Sequence, residues 1–192
     1  MTNNHTNIAI FASGSGSNFQ AIIDNFENDN QHVKISLLVC DNPNAFVIER
    51  ARKAHIETFI FNPKEYKNKD EYEQVVLNEL VKRDISWIFL AGYMRIIGNR
   101  LLKAFPSKIV NIHPALLPSF PGAYGIQDAY NYGVKIFGVT VHFVDEGVDT
   151  GQIIDQESFK IIGNETIDEV ESKIHQIEHQ LYPKVIKYLL KR

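Results

Sequence analysis

The sequence predicts an α/β fold built on an open, mostly parallel sheet with helices on both faces. Two observations lead there. Short apolar runs alternate along the chain with stretches in which apolar residues recur every three or four positions, the pattern of strands joined by crossover helices. The first of these runs also ends in a glycine-rich loop that passes straight into a helical pattern. Near the C-terminal end the alternation changes to two strand patterns in succession, so the sheet is expected to finish in a mixed edge.

Residues 7–12 (NIAIFA) read as a buried strand, residues 13–18 (SGSGSN) as a tight loop, and Phe19, Ile22, Ile23 and Phe26 as the apolar face of a helix. Further strand-like runs cover 33–40, 58–61, 87–91 and 109–112. Between them, helical spacing appears at 46–54 and at Tyr72, Val75, Val76 and Leu80. From Val134 onward, GVTVHFV and QIIDQESFKI read as strands joined by the short acidic loop 145–151. Thr166 and Glu169 then form a capping-box pattern, and Ile167, Val170, Ile174, Ile177 and Leu181 define the buried face of a long last helix.

The chain has 192 residues, 44% of them hydrophobic, enough for one sizeable core, and a single domain over 1–192 is expected. A formal charge of -3, from 20 basic and 23 acidic residues, gives no global field suited to nucleic acid and favours small-molecule substrates. Cys40 is the only cysteine, so neither an intramolecular disulfide nor a thiolate metal cluster can form within one chain. The polar start MTNNHTN has no leader pattern, and no run approaches the ~20 apolar residues that span a bilayer, so a cytoplasmic protein is expected.

Four places could carry chemistry. In the glycine loop, Gly14 and Gly16 free the backbone to expose N–H groups at a helix N-terminus, with Ser17 and Asn18 adding donors. That loop reads either as a single-phosphate site or as a structural turn with an asparagine cap. Phe19 stands where a dinucleotide motif would place its third glycine. In IVNIHPALLPSFPG (109–122), a strand brings Asn111 and His113 to one side, and Pro114 stops it with both at its C-terminal end, where open α/β sheets bind ligands. Asn can donate to a developing oxyanion and His can donate or move a proton, although a histidine satisfying local loop groups fits the same pattern. Asp149, between Gly147 and Gly151, is either an exposed acidic turn or a group converging on that pair. Finally, His175-Gln176-Ile177-Glu178-His179 matches a zinc-peptidase order, but no Asp, Glu, His or Cys follows it to supply a third ligand. The ordinary reading there is a solvated polar stripe of Glu171, His175, Glu178 and Tyr182, and no metal is expected.

Taken in order, GSGSNFQAI, LAGYMRII, NIHPALLP with FPG, and VTVHFVDEGVDTG resemble the folate-dependent formyltransferase superfamily over nearly the whole chain. The resemblance implies a seven-stranded sheet, Rossmann-like in its N-terminal half, with an antiparallel strand near the C-terminal end. It implies transfer of a formyl group from 10-formyltetrahydrofolate to the amine of glycinamide ribonucleotide through a tetrahedral intermediate. Asn111 and His113 would stabilise the oxyanion and Asp149 would manage the proton. By the same resemblance Gly16, Ser17 and Asn18 would hold the ribonucleotide phosphate and Glu178 the substrate's other end. Lys69, Met94, Arg95, Ile96, Ile97, Asn111, Asp145, Glu146, Gly147, Val148 and Asp149 would line the folate site. The formyl folate is a co-substrate, and no metal, nicotinamide or flavin is implied. Two departures stand out: Tyr124 occupies a position that is often His in relatives, and Ser119 one that is basic in some. The expected assembly is a monomer or homodimer, with no nucleic-acid or membrane partner.

Rival readings are weaker. A formyltetrahydrofolate hydrolase usually has a further N-terminal domain, and a transfer-RNA formyltransferase a further C-terminal one. An NAD-binding oxidoreductase would use Asp41 on a ribose but lacks the third glycine. A non-catalytic binding module leaves the pairing of NIHP with the acidic loop unexplained.

Overall fold

The first apolar run forms β1 (Thr6–Ala12), and Ile8 through Ala12 are wholly buried. A computed structural model describes residues 5–26 and 32–191; the polar start read at residues 1–4 lies outside them. After the glycine loop comes α1 (Ser17–Phe26), which buries Asn18, Phe19, Ile22 and Ile23. There follow β2 (Val33–Cys40), α2 (Val47–Lys53), β3 (Thr58–Ile60), α3 (Lys69–Lys82), β4 (Ile85–Leu90) and α4 (Asn99–Ala104). The chain continues through β5 (Ile109–His113), α5 (Gly125–Tyr132), β6 (Ile136–Phe143), β7 (Ile153–Lys160) and α6 (Ile167–Leu190).

The strand order is β3-β2-β1-β4-β5-β6-β7, a seven-stranded sheet. β1 runs parallel to β2 and to β4, and β2 parallel to β3. β6 and β7 are antiparallel, which gives the mixed edge expected from their short connection. The buried apolar stretches at the C-terminal ends of β1, β2 and β4 follow from burial on both faces of a helix-covered sheet. β7 is largely exposed and carries Asp155, Glu157 and Lys160, charges that blunt an edge strand.

Contacts divide the chain into two compact units, 1–110 and 111–192, with the division falling inside β5. In the first, α1 packs with α2 and α3 with α4. Its core includes Ile10, Phe11, Leu38, Ile88 and Phe89. In the second, α6 lies on β6 and β7 and buries Val170, Ile174, Leu181 and Ile186. Fully burying each such side chain is worth about 1.5–3 kcal/mol. The capping box at Thr166 forms as read: its hydroxyl accepts from the Glu169 N–H, and the Glu169 carboxylate accepts from the Thr166 N–H. The polar stripe on α6 is corrected. Glu178 and Tyr182 are buried and Glu171 is half-buried, so only His175 of the four is exposed.

Candidate active site

β5 ends at His113, and its alternation sets Asn111 and His113 on one side while Ile112 faces the other. The chain beyond Pro114 is clamped by a buried hydroxyl on β6. Thr140 Oγ1 donates to the Ala115 carbonyl at 2.7 Å and accepts from the Leu117 N–H at 3.0 Å. Gln156 Nε2 on β7 donates to the Leu117 carbonyl and to the same hydroxyl. These bonds satisfy irregular backbone that would otherwise be buried without partners.

Asp149 comes from the loop joining β6 to β7, and it has a left-handed backbone with φ 55. Asp145 shapes that loop by accepting from the Gly147 N–H and the Thr150 hydroxyl. Its Oδ1 is therefore engaged within the loop. A Cβ on Gly151 would lie 1.8 Å from the Phe143 carbonyl oxygen, and one on Gly147 would lie 2.0 Å from Thr150 Oγ1. Only glycine permits such close backbone approach. Glu146 and Val148 stand exposed on the loop.

The three central residues converge. Asp149 Oδ2 accepts from the Gly122 N–H at 2.7 Å and lies 3.4 Å from His113 Nδ1. Asn111 Nδ2 donates to Asp149 Oδ1 at 3.4 Å. The buried His142 of β6 completes the group: its Nδ1 donates to the Phe143 carbonyl at 2.8 Å. Its Nε2 then accepts from Asn111 Nδ2 at 3.2 Å and sits 3.5 Å from Asp149 Oδ1. His113 Nε2 donates to the Phe120 carbonyl at 2.8 Å, which leaves Nδ1 facing the carboxylate. Burial pushes the Asp149 pKa up. The contact from His142, the Gly122 N–H and the two imidazoles outweigh it and hold the carboxyl below its usual range. A groove of about 210 Å³ opens beside Asp149, with Leu117, Pro118, Pro121, Val148 and Ile153 in its wall.

His142, Gly122, Phe120 and Gly125 were not picked out from the sequence. A Cβ on Gly125, the first residue of α5, would fall 3.0 Å from His113 Nε2, so a side chain there would press on the imidazole. One signal was available for His142. In TVHF, Thr140 and His142 occupy alternate positions of an otherwise apolar strand, and polar groups placed inward need internal partners.

The first unit holds the other candidate residues. Gly16 has φ 74, and a Cβ there would come within 2.5 Å of Val47 Cγ2. Gln20 N–H donates to the Gly16 carbonyl as α1 begins, so the N–H groups of Ser17, Asn18 and Phe19 precede the first helical bond. Arg50 of α2 braces the loop by donating from Nε to the Ser15 carbonyl at 2.8 Å. In the segment after β4, Met94 and Ile96 are exposed, whereas the Ile97 side chain is buried and can offer a ligand only its backbone. Arg95 Nε donates to Asp41 Oδ2 at 2.8 Å, so Asp41 is committed to an arginine and is not available for a ribose. Lys69 opens α3, with Nζ 4.0 Å from Glu73 Oε1.

On α6, His175 Nδ1 and Glu178 Oε2 are 2.9 Å apart, and the His175 and His179 rings stack at 6.4 Å. Among the described residues, no group of three or more His, Cys, Asp or Glu is placed to hold a metal ion. No described helix is long and apolar enough to cross a membrane. Tyr124 is exposed and precedes α5 without capping it through its side chain, and Ser119 is exposed as well.

The Formyl transferase family matches residues 6–186. The chain belongs to the formyl transferase family. It is 50% identical over 182 residues to phosphoribosylglycinamide formyltransferase of Bacillus subtilis (strain 168), covering 95% of this chain and 93% of that one. It is 38% identical to the trifunctional purine biosynthetic protein adenosine-3 of Chironomus tentans, matching 94% of this chain but 13% of that much longer protein. Glycinamide ribonucleotide transformylase 1 from Geobacillus kaustophilus superposes with a TM-score of 0.94 at 52% identity, over 97% of this chain and 99% of that one. This formyl transferase thus has the strand order, the helices on both sides and the mixed edge of its solved relatives.

Proposed function

We propose that the chain transfers the formyl group of 10-formyltetrahydrofolate to the amine of 5-phosphoribosylglycinamide, giving formylglycinamide ribonucleotide and tetrahydrofolate in de novo purine biosynthesis. One observation carries this reading. Asn111, His113 and Asp149 meet at the C-terminal end of β5, with polar atoms 3.4 Å apart, in a chain half identical to a phosphoribosylglycinamide formyltransferase. Residues 1–192 act as one formyltransferase domain, in the cytoplasm, as a monomer or homodimer with small-molecule substrates.

The amine lone pair attacks the formyl carbon, forming the new C–N bond and driving the carbonyl electron pair onto oxygen. Collapse restores the carbonyl and breaks the bond to N10 of the folate, while the proton lost by the amine passes to that nitrogen. Asn111 supplies an N–H to the developing oxyanion. Its 3.4 Å bond to Asp149 is long enough to exchange for a substrate oxygen. His113 supplies the second donor once Nε2 leaves the Phe120 carbonyl. Preorganised donors of this kind are each worth about 3 kcal/mol in the transition state. Asp149, ionised through neutral pH, takes the amine proton directly or through water and passes it on, because so weak a base does not retain it. No step requires a metal, a nicotinamide or a flavin.

Gly16, Ser17 and Asn18 hold the ribonucleotide phosphate through backbone and side-chain donors at the start of α1. Glu178 contacts the substrate's other end. Lys69, Met94, Arg95, Ile96, the Ile97 backbone and the loop 145–149 contact the folate. The test uses purified protein with 10-formyltetrahydrofolate and follows tetrahydrofolate release with and without glycinamide ribonucleotide. Release that depends on the amine is expected. Release at the same rate without it identifies a hydrolase and overturns the transfer reading.

A further inference from the structure

Residues 91–98, which link β4 to α4, have no regular secondary structure, yet their most exposed side chains are apolar. Met94 is 73% and Ile96 58% exposed. Loops with this much exposed apolar surface and no ladder of their own are ordinarily mobile. This one is fixed at successive points by buried polar side chains from three other parts of the first unit. Ser13, just past β1, accepts from the Met94 N–H through Oγ at 2.9 Å, and its own N–H donates to the Gly92 carbonyl at 3.1 Å. Asp41, just past β2, accepts from Arg95 Nε at 2.8 Å. Glu73 of α3 accepts from the Gly98 N–H through Oε1 at 2.6 Å. Only 9%, 7% and 3% of the surfaces of Ser13, Asp41 and Glu73 remain exposed.

Stability alone gives a poor account of this arrangement. Burial raises the pKa of Glu73, so the protein keeps a carboxyl where its charged form is disfavoured. Asp41 Oδ1 is buried without a hydrogen-bond partner among the described residues. Uncompensated polar burial is retained where it fixes geometry that a binding site needs. The fixed element is the segment assigned above to the folate, and its two ends are both glycines: Gly92 has φ 75, and a Cβ on Gly98 would meet the Glu73 carboxylate at 2.6 Å.

We propose that Ser13, Asp41 and Glu73 are positioning residues for the folate: acting through Met94, Arg95 and Gly98, they set residues 92–98 in their ligand-ready shape before the folate arrives. The inference rests on the reading that residues 94–97 contact the folate. A preset segment loses little conformational freedom on binding, so its anchors show up in folate affinity and not in the chemical step. Ser13 precedes the residues Gly16–Asn18 assigned to the phosphate without being one of them, so its hydroxyl serves the folate segment alone.

The experiment measures tetrahydrofolate and glycinamide ribonucleotide affinities by calorimetry, with kcat at saturating substrates, for the full chain and for Ser13→Ala, Asp41→Ala and Glu73→Ala. Each alanine variant is expected to weaken tetrahydrofolate about 5- to 20-fold, as loss of a hydrogen bond to a fixed group does, and to leave ribonucleotide affinity and kcat nearly unchanged. Glu73→Gln keeps an acceptor for the Gly98 N–H and should restore the affinity. Unchanged tetrahydrofolate binding in the alanine variants overturns the proposal, as does equal loss of both ligands or a failure of Glu73→Gln to restore binding. Met94→Asp, which alters only an exposed side chain and keeps the Met94 N–H that Ser13 accepts, separates the two ideas. If it leaves tetrahydrofolate binding intact, the assignment of the segment to the folate is wrong. If it weakens binding while the anchor variants do not, the assignment stands and the positioning role falls.

Discussion

His113 Nδ1 lies 3.4 Å from Asp149 Oδ2, while the other nitrogen of the same ring is held by the Phe120 carbonyl at 2.8 Å. The imidazole is thus pinned between a carboxylate and a backbone acceptor. Replacing Asp149 by Asn preserves the shape and the acceptor for the Gly122 N–H but removes the charge. We expect kcat to fall about 10²- to 10⁴-fold, the usual range for a lost acid or base, with both substrates still bound. His113→Asn and Asn111→Ala should also lower kcat more than binding, and the Asp149/His113 double variant should lose less than the product of the two single losses. Near-normal turnover in Asp149→Asn would reduce that residue to a structural turn.

The pH dependence follows from the same carboxyl. Its folded pKa is depressed, so activity that needs ionised Asp149 persists as pH falls through the ordinary carboxylate range and is lost only below it. Its contribution to stability has the same sign, present above the unfolded pKa and lost as pH falls through the folded one. A kcat profile whose acid limb tracks an unshifted carboxyl would contradict this.

His142 joins the group from the neighbouring strand and accepts from Asn111. His142→Phe removes the shorter of the two bonds made by Asn111 Nδ2 and leaves the longer one to Asp149 to orient the amide. A fall in kcat of about 10- to 100-fold is expected, in line with the loss of a supporting partner in other preorganised sites. Substrate affinities measured beside kcat will show whether the loss is confined to turnover.

Glycine replacements should divide the phosphate loop. Gly16→Ala meets Val47 and a left-handed backbone at once, a combined penalty of about 2–4 kcal/mol from overpacking and φ strain. A Cβ on Gly14 meets nothing within 4 Å, so Gly14→Ala should leave the melting temperature nearly unchanged. Thermal melts of the two variants check this, and they show that a substitution at Gly16 reports on folding as well as on phosphate affinity.

His175 offers a stability test of opposite sign. Its hydrogen bond to the Glu178 carboxylate raises its pKa against the effect of burial. Its stabilising contribution is therefore complete below the unfolded value of about 6.5 and disappears as pH rises through the folded value. The side chain is half exposed, which limits the effect to about 1 kcal/mol or less. His175→Gln should melt below the parent at pH 5.5 and level with it at pH 9.

Much of this was legible in the sequence because periodicity reports burial. The run 33–40 coincides with β2, and the capping box marks the start of α6, since both depend on local patterns. The pattern did not reveal α4, α5 or the short 3-10 turn at Pro63–Glu65. α4 has only six residues and buries only Leu101, while α5 starts at a glycine with no side-chain cap. Strand alternation brought Asn111 and His113 together, but Asp149 lies 36 residues beyond His113, and only tertiary structure closes that distance. The burial of Glu178 and Tyr182 was hidden for a related reason. A polar stripe reads as solvated until something covers it.

The left-handed backbone at Asp149 also bears on how this position can vary. A library randomised at 149 passes through two filters in series. The backbone admits chiefly glycine, asparagine and aspartate, the residues that tolerate φ near 55. The chemistry then admits aspartate. Asparagine and glycine survivors are folded proteins that have stopped turning over, suited to trapping both substrates together long enough to see them. Alanine, the customary knockout, fails the first filter as well as the second, and its inactivity would say little about the carboxylate.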